Sequence, residues 1–170
     1  MKKVILYLLG IIVLLVVGFL SIGFFVPVVE YTTNVEINKP REFTWTVLRE
    51  RKDWVYGFKS LEQISGKPDE VGSHAKLSVV RDGTEYTFDS ELIDIKPPEF
   101  AETKLDNDLL VHNARGQLSE VDGKTKIVST EKITGKNPFL RSLFVFFRGR
   151  FTEVSKRNFE GLKQVVEGTE

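Results

Sequence analysis

The residues able to do metal or acid–base chemistry in this chain are few and scattered. Histidine occurs only at His74 and His112, and cysteine not at all. A metal centre needs several imidazole, thiolate or carboxylate groups converging on one point. Two histidines far apart in sequence, with no further ligand at a suitable spacing, do not supply that, so no metal is expected. The lack of cysteine excludes disulfides, zinc ribbons and thiol catalysis. General acid–base work would need a polar pair inside a cavity. His112 and Arg115 fall on one predicted strand, an odd number of residues apart, so they project to opposite faces and only one can point inward. Asp89, Glu91 and Glu131 complete the candidates. The alternation of half-exposed strands favours a solvent-facing position for all three, and His74, beside a turn, reads as solvated. The chain has no Ser-His-Asp order, no G-x-S-x-G elbow and no phosphate-binding loop. No catalytic residue is assigned, and no cofactor is expected.

The elements that would position any such group begin with an apolar segment. Val4 to Val26 carries no charge and is interrupted only by Tyr7, Ser21 and three glycines. As a helix it would be ~35 Å long at 1.5 Å per residue, against a bilayer core ~30 Å thick. Pro27 closes it. Residues 1–29 are therefore expected to be a single transmembrane anchor. Lys2 and Lys3 favour a cytoplasmic N-terminus, which puts the following domain, residues 30–170, outside the cytoplasm. The alternative is a cleaved signal peptide, but its apolar region is normally shorter and ends in an A-x-A-like site. Here the only small-x-small candidate is Ser21-Ile22-Gly23. Equal numbers of acidic and basic residues, 24 each, argue against a nucleic-acid partner.

Beyond the anchor, Tyr31–Ile37 reads as a strand. Asn38 is expected to cap a helix opened by Pro40, with Phe43, Val47 and Leu48 on its inward face. Asp53–Phe58 reads as a short helix or loop. A β region follows, with strands expected at 61–65, 74–81, 84–95, 99–106, 109–120 and 124–133. Asp82-Gly83 and Asp122-Gly123 carry the strongest hairpin signal, and consecutive hairpins make an antiparallel meander. Asn137 and Pro138 then open one long helix, ending near Gly168, that should run ~45 Å from Pro138 to Glu167. Phe144, Phe147 and Phe151 are spaced to share one stripe of it. On the strand 84–95, Tyr86, Phe88, Ser90 and Leu92 share a face, expected to look toward that helix. Phe139–Phe147 is apolar nearly all round. It suggests a second membrane contact with Arg148 and Arg150 near headgroups, or a helix buried on two sides.

The order of these motifs resembles the SRPBCC superfamily, also called START-like or Bet v 1-like, and within it the polyketide cyclase/dehydrase and lipid-transport group. The resemblance runs from about Val35 to Val166. It rests on the opening Ile37-Asn38-Lys39-Pro40-Arg41-Glu42-Phe43-Thr44-Trp45-Thr46-Val47-Leu48, on Trp54 and Gly57 as W-x-x-G, on Val71-Gly72-Ser73, and on the phenylalanine-rich terminal helix with Gly161-Leu162-Lys163. It implies an α+β helix-grip fold, a curved antiparallel sheet wrapped on a long C-terminal helix, that binds a hydrophobic small molecule or lipid. It implies no reaction, because such domains share no common catalytic residues. Trp54, Tyr86, Phe88, Leu92, Phe144, Phe147 and Phe151 are the expected ligand-binding residues. The alternatives are a cyclase-like enzyme using polar pocket residues, and a structural or partner-binding domain with a closed core.

Overall fold

Hairpin chemistry lays out the sheet. At both Asp-Gly pairs the two residues take positive φ, 50° and 77° at Asp82-Gly83 and 52° and 72° at Asp122-Gly123. Two successive left-handed residues match the twist of the flanking strands. The computed structural model describes residues 2–50 and 52–169. Seven strands form one curved antiparallel sheet: β1 (Val28–Ile37), β2 (Phe58–Ser65), β3 (His74–Arg81), β4 (Thr84–Lys96), β5 (Phe100–Asp106), β6 (Leu110–Val121) and β7 (Lys124–Gly135). Their spatial order is β1-β7-β6-β5-β4-β3-β2. Strands two to seven are a meander, and β1 closes against β7 with Val35 opposite Ile127 and Tyr31 opposite Glu131.

Among the described residues there are also four helices: α1 (Lys2–Phe25), α2 (Arg41–Glu50), α3 (Pro138–Phe146) and α4 (Arg148–Glu167). Residues 53–57 form turns, the loop of the two expected forms, and Phe58 already opens β2. Asn38 does not cap α2. Its backbone and side-chain amides both donate to Glu167 Oε1, at 2.8 and 2.9 Å, tying the end of β1 to the end of α4. A free amide at the start of α2, that of Arg41, instead donates to Glu120 Oε2 at 2.7 Å. Asn137 caps α3 as expected, accepting from the Leu140 amide at 2.9 Å with Pro138 at the first position.

The single long C-terminal helix is broken. Phe147 (φ −90°, ψ 6°) ends α3 and precedes α4. Its carbonyl accepts from both Arg150 and Phe151, at 2.9 and 3.2 Å, a tightened turn rather than a regular α-helical one. Gly149, a poor helix former, lies just beyond. The apolar spacing runs through this break, which is why the sequence conceals it.

Two packed clusters sit at opposite ends of α4. Ile37, Trp45, Val47, Leu118, Ile127, Leu162 and Val166 form one. Val29, Tyr31, Ile133 and Phe144 form the other, with Phe151 against it. Gly161 lets α4 approach the segment after α2, since a Cβ there would lie 2.7 Å from the Trp54 carbonyl oxygen.

Candidate ligand-binding cavity

Between the two clusters lies a cavity of about 960 Å³. Alternate residues of neighbouring strands build its floor, because side chains two apart share a face. Leu77, Val79 and Arg81 come from β3, Phe88, Ser90 and Leu92 from β4, and Ala101, Thr103 and Leu105 from β5. β6 adds Leu110, His112, Ala114 and Gly116, and β7 adds Ile127, Ser129, Glu131 and Ile133. The roof is α4 through Phe151, Val154, Ser155, Asn158 and Phe159. Small side chains at 101, 114 and 116 leave the space that leucines would fill. Leu48, Arg49 and Lys52 from α2 and the segment after it face Pro68 and Asp69 of the β2–β3 loop across one part of the wall. Arg49 and Asp69 form an ion pair there.

Of the residues expected at a ligand site, Trp54, Phe88, Leu92 and Phe151 line this space, while Tyr86, Phe144 and Phe147 are not among its walls. Tyr86 shares the inward face of β4 but lies near its start, opposite Val79. Phe144 is buried in the cluster with Val29 and Tyr31 and meets the Phe151 ring edge-on at 5.2 Å. Phe147 sits at the helix break and is half exposed. The expected stripe of three phenylalanines is therefore split by the break, and only Phe151 reaches the void.

The cavity has one deeply buried polar cluster. Glu131, 5% exposed, accepts from the Tyr31 hydroxyl at 2.9 Å through Oε2 and from the Ser155 hydroxyl through Oε1. His112 Nε2 lies 2.9 Å from the same Oε2. Burial alone would push this carboxyl up, but the hydrogen bond and charge of His112, with the Ser155 and Tyr31 hydroxyls, outweigh it and hold the carboxyl below its usual range. An ionised carboxylate only accepts, so Tyr31, His112 and Ser155 all donate to it. Burial, and then the adjacent Glu131 charge, drive the Tyr31 phenol far up. Tyr31 and Ser155 were not singled out in sequence, and Glu131 was expected to face water. Parity was the available signal: Glu131 is in phase with Ile127 and Ile133 on β7, and His112 with Leu110 and Leu118 on β6. The other candidates do face outward. Asp89 is exposed, Glu91 contacts Lys104 at 3.4 Å, and Arg115 pairs with Glu102 at 2.9 Å.

Besides Arg49, two further cations line the wall. Lys52 donates to the carbonyls of Leu48, at 3.1 Å, and Arg49. Burial, with the Arg49 charge, pushes its ammonium down to about 8. Arg81 donates to the Tyr56 carbonyl at 3.3 Å, and burial lowers its guanidinium too. Among the described residues neither has an ion-pair partner, and no group of three or more metal-ligating side chains occurs.

No protein-family model matches this sequence, and no curated protein matches it. Solved structures do, across the domain that carries the cavity. Ara h 8.0201 aligns with a TM-score of 0.64 at 14% identity, over 84% of this chain and 99% of the other. The fold shared with it is the helix-grip fold. TTHA0849 from Thermus thermophilus aligns at TM-score 0.67 and 14% identity, over 82% and 97% of the two chains. The di-domain ARO/CYC BexL from the BE-7585A biosynthetic pathway gives 0.68 at 16% identity, over 85% of this chain. The match spans about half of that di-domain protein, 52%. In this helix-grip domain the gripped helix is α4, and the space beneath it is the cavity described above.

Proposed function

We propose that this chain is a membrane-anchored binding module for a hydrophobic small molecule or lipid held between the sheet and α4. The observation that carries the reading is the cavity itself. Its volume, about 960 Å³, is at the upper end of the range for small-molecule sites, ~300–1,000 Å³. Most of its lining residues are aliphatic or aromatic, and polar groups such as the Glu131 cluster and Arg81 are set among them. A ligand would lay its apolar body on Leu77, Phe88, Leu92 and Phe151 and turn any polar group toward the Glu131 cluster or Arg81. Trp54, Tyr86, Phe144 and Phe147 complete the proposed ligand-binding set. Of the last three, Phe144 acts by packing on Phe151 of the wall.

The test is saturable binding of an environment-sensitive apolar fluorophore to the full chain in nanodiscs. Stoichiometric binding that Leu92→Trp abolishes supports the module. Absence of saturable binding refutes it.

α1 is long and apolar enough to cross a membrane, and its most apolar window is wholly unburied by the domain. It is proposed as a single-pass anchor with Lys2 and Lys3 in the cytoplasm and the domain on the other side. Retention of intact-mass protein in alkali-washed membranes supports the anchor. A C-terminal tag protected from protease in sealed cells refutes the orientation.

A cyclase-like enzyme is the second reading, favoured by the proton-bearing Tyr31 and His112 inside the cavity. Against it, Glu131 is saturated by three donors and held ionised, which makes it a weak base. Bound ligand recovered chemically unchanged supports the module, whereas His112-dependent conversion supports the enzyme.

A further inference from the structure

We infer that α3 is a second, peripheral membrane contact, docked at the bilayer surface by the last turns of α1. The inference rests on the proposed anchoring by α1 and adds to it a fixed depth and orientation of the domain.

The junction between the two helices is specific. Gly23 is buried, and its amide donates to Ser142 Oγ at 2.9 Å, with Ser142 itself fully buried. A Cβ at Gly23 would lie 2.5 Å from the Pro138 carbonyl oxygen and 2.6 Å from the Ser142 nitrogen. One turn earlier on α1, Phe19 stacks on Phe146 with centroids 6.1 Å apart and meets Phe139 at 5.6 Å. α1 is thus fastened to the domain along α3 rather than joined to it by a free linker.

Depth follows from length. The apolar run ends at Val26, and Phe19 lies seven residues before it, ~10 Å along a helix axis. The run exceeds a ~30 Å core by ~5 Å, so an upright α1 places Phe19 ~5–10 Å inside the hydrocarbon boundary. Phe139 and Phe146 touch Phe19 and must lie at or within that boundary. Both are nonetheless unburied by protein, at 55% and 65% exposure, and Phe24 and Phe25, which follow Gly23, and Phe147, which follows Phe146, are exposed too. A bilayer is the occupant that such placement requires, because the surface is continuous with a helix that already lies in lipid. Charge agrees. From Lys136 to Thr152 the chain has four basic residues and no carboxylate. Lys136 and Arg150 are held by Asp106 and Asp82. Arg148, exposed and in no ion pair among the described residues, is left for lipid phosphates.

The chain has no native cysteine, so single-site labelling tests this directly. Phe146→Cys, Phe139→Cys, Leu14→Cys and Lys67→Cys would each carry an environment-sensitive dye. The full chain would be placed in phosphatidylcholine/phosphatidylglycerol vesicles bearing quenchers on the acyl chains. Lys67, in the β2–β3 loop, reports the distal end of the domain. Positions 139 and 146 should be quenched like position 14, and at least about twofold more than position 67, since interfacial helices bury their apolar face only at the acyl boundary. Adding Gly23→Leu, which forces α1 off α3, should lower quenching at 146 and leave position 14 unchanged. Quenching at 14 but not at 139 or 146 overturns the docking while the anchor stands. No quenching at 14 removes the anchor and the docking together.

Discussion

The two halves of α4 lie over the same sheet and do opposite things. Toward its C-terminus, Leu162 and Val166 are fully buried against Ile37, Ile127, Trp45 and Val47. Toward its N-terminus, Phe151, Val154 and Asn158 border the void, and Ser155 reaches the sheet through its hydrogen bond to Glu131. The difference comes from the opposing layers. α2 supplies Trp45 and Val47 to seal the C-terminal end, α3 supplies Phe144 to close the N-terminal end on Phe151, and the stretch between them borders the cavity. The strands change character at the same level. The inward residues of β7 run Thr125, Ile127, Ser129, Glu131, Ile133, so Ser129 and Glu131 face the cavity between two apolar positions. A core is closed by matched apolar side chains from three layers. A cavity persists between two such cores where small side chains leave space and the polar groups satisfy one another.

Truncations should expose that contrast most strongly. Leu162→Ala is expected to cost ~2–5 kcal/mol, because a fully buried leucine leaves a cavity behind. Val154→Ala, facing space that is already empty, should cost about 1 kcal/mol or less. Urea unfolding of both variants measures the gap. Equal losses would mean that the N-terminal half is packed as tightly as the other.

The Glu131 cluster comes next. Glu131→Leu strands the Tyr31, His112 and Ser155 donors and should destabilise by ~1–3 kcal/mol. The pH dependence has a fixed sign. The Glu131 carboxyl is held below its usual value, so its contribution is fully present above the ordinary glutamate pKa, ~4.3. It is lost as pH falls through the folded-state value. Glu131→Gln should flatten that acid limb of the stability curve. An unchanged limb would show that other carboxylates govern it.

These residues also show where the sequence was informative. Both Asp-Gly turns and the strands between them were legible, because turn chemistry and alternation are local properties. Strand β3 lies at 74–81 as expected, and β1 begins earlier, at Val28 rather than Tyr31. A soluble version should therefore start at Pro27 to keep the pairs of Val28, Val29 and Glu30 with β7. The break at Phe147 was not legible, since apolar spacing of three and four continues across it and only Gly149 hints at it. Phe88, Leu92 and Phe151 line the cavity, and their inward faces were visible in strand and helix periodicity, whereas Trp54 was singled out only through the W-x-x-G resemblance. The Glu131 cluster joins four elements, β1, β6, β7 and α4. No single element signals such a meeting, and a carboxylate taken alone suggests solvent. Whether inward phenylalanines pack or line a space depends on the small residues Ala101, Ala114 and Gly116 lying side by side, which only the register reveals.

Smaller effects on stability test the cavity half further. Leu92→Trp should cost under about 1 kcal/mol, because it fills a void, whereas overpacking a closed core would cost ~1–3 kcal/mol. At the rim, NMR of labelled lysines should show one ammonium, that of Lys52, titrating near about 8. Its burial cost is present below that value and relieved as pH rises toward the ordinary lysine pKa. Deprotonation only at the ordinary value would place Lys52 in solvent and open the rim.

Native mass spectrometry, without detergent, of the chain from Pro27 onward tests the central claim most directly. The account predicts a population carrying one non-covalently bound apolar molecule per chain, identifiable after organic extraction and absent in Leu92→Trp. A wild-type spectrum showing only the bare polypeptide, or an adduct that persists undiminished in Leu92→Trp, would contradict it.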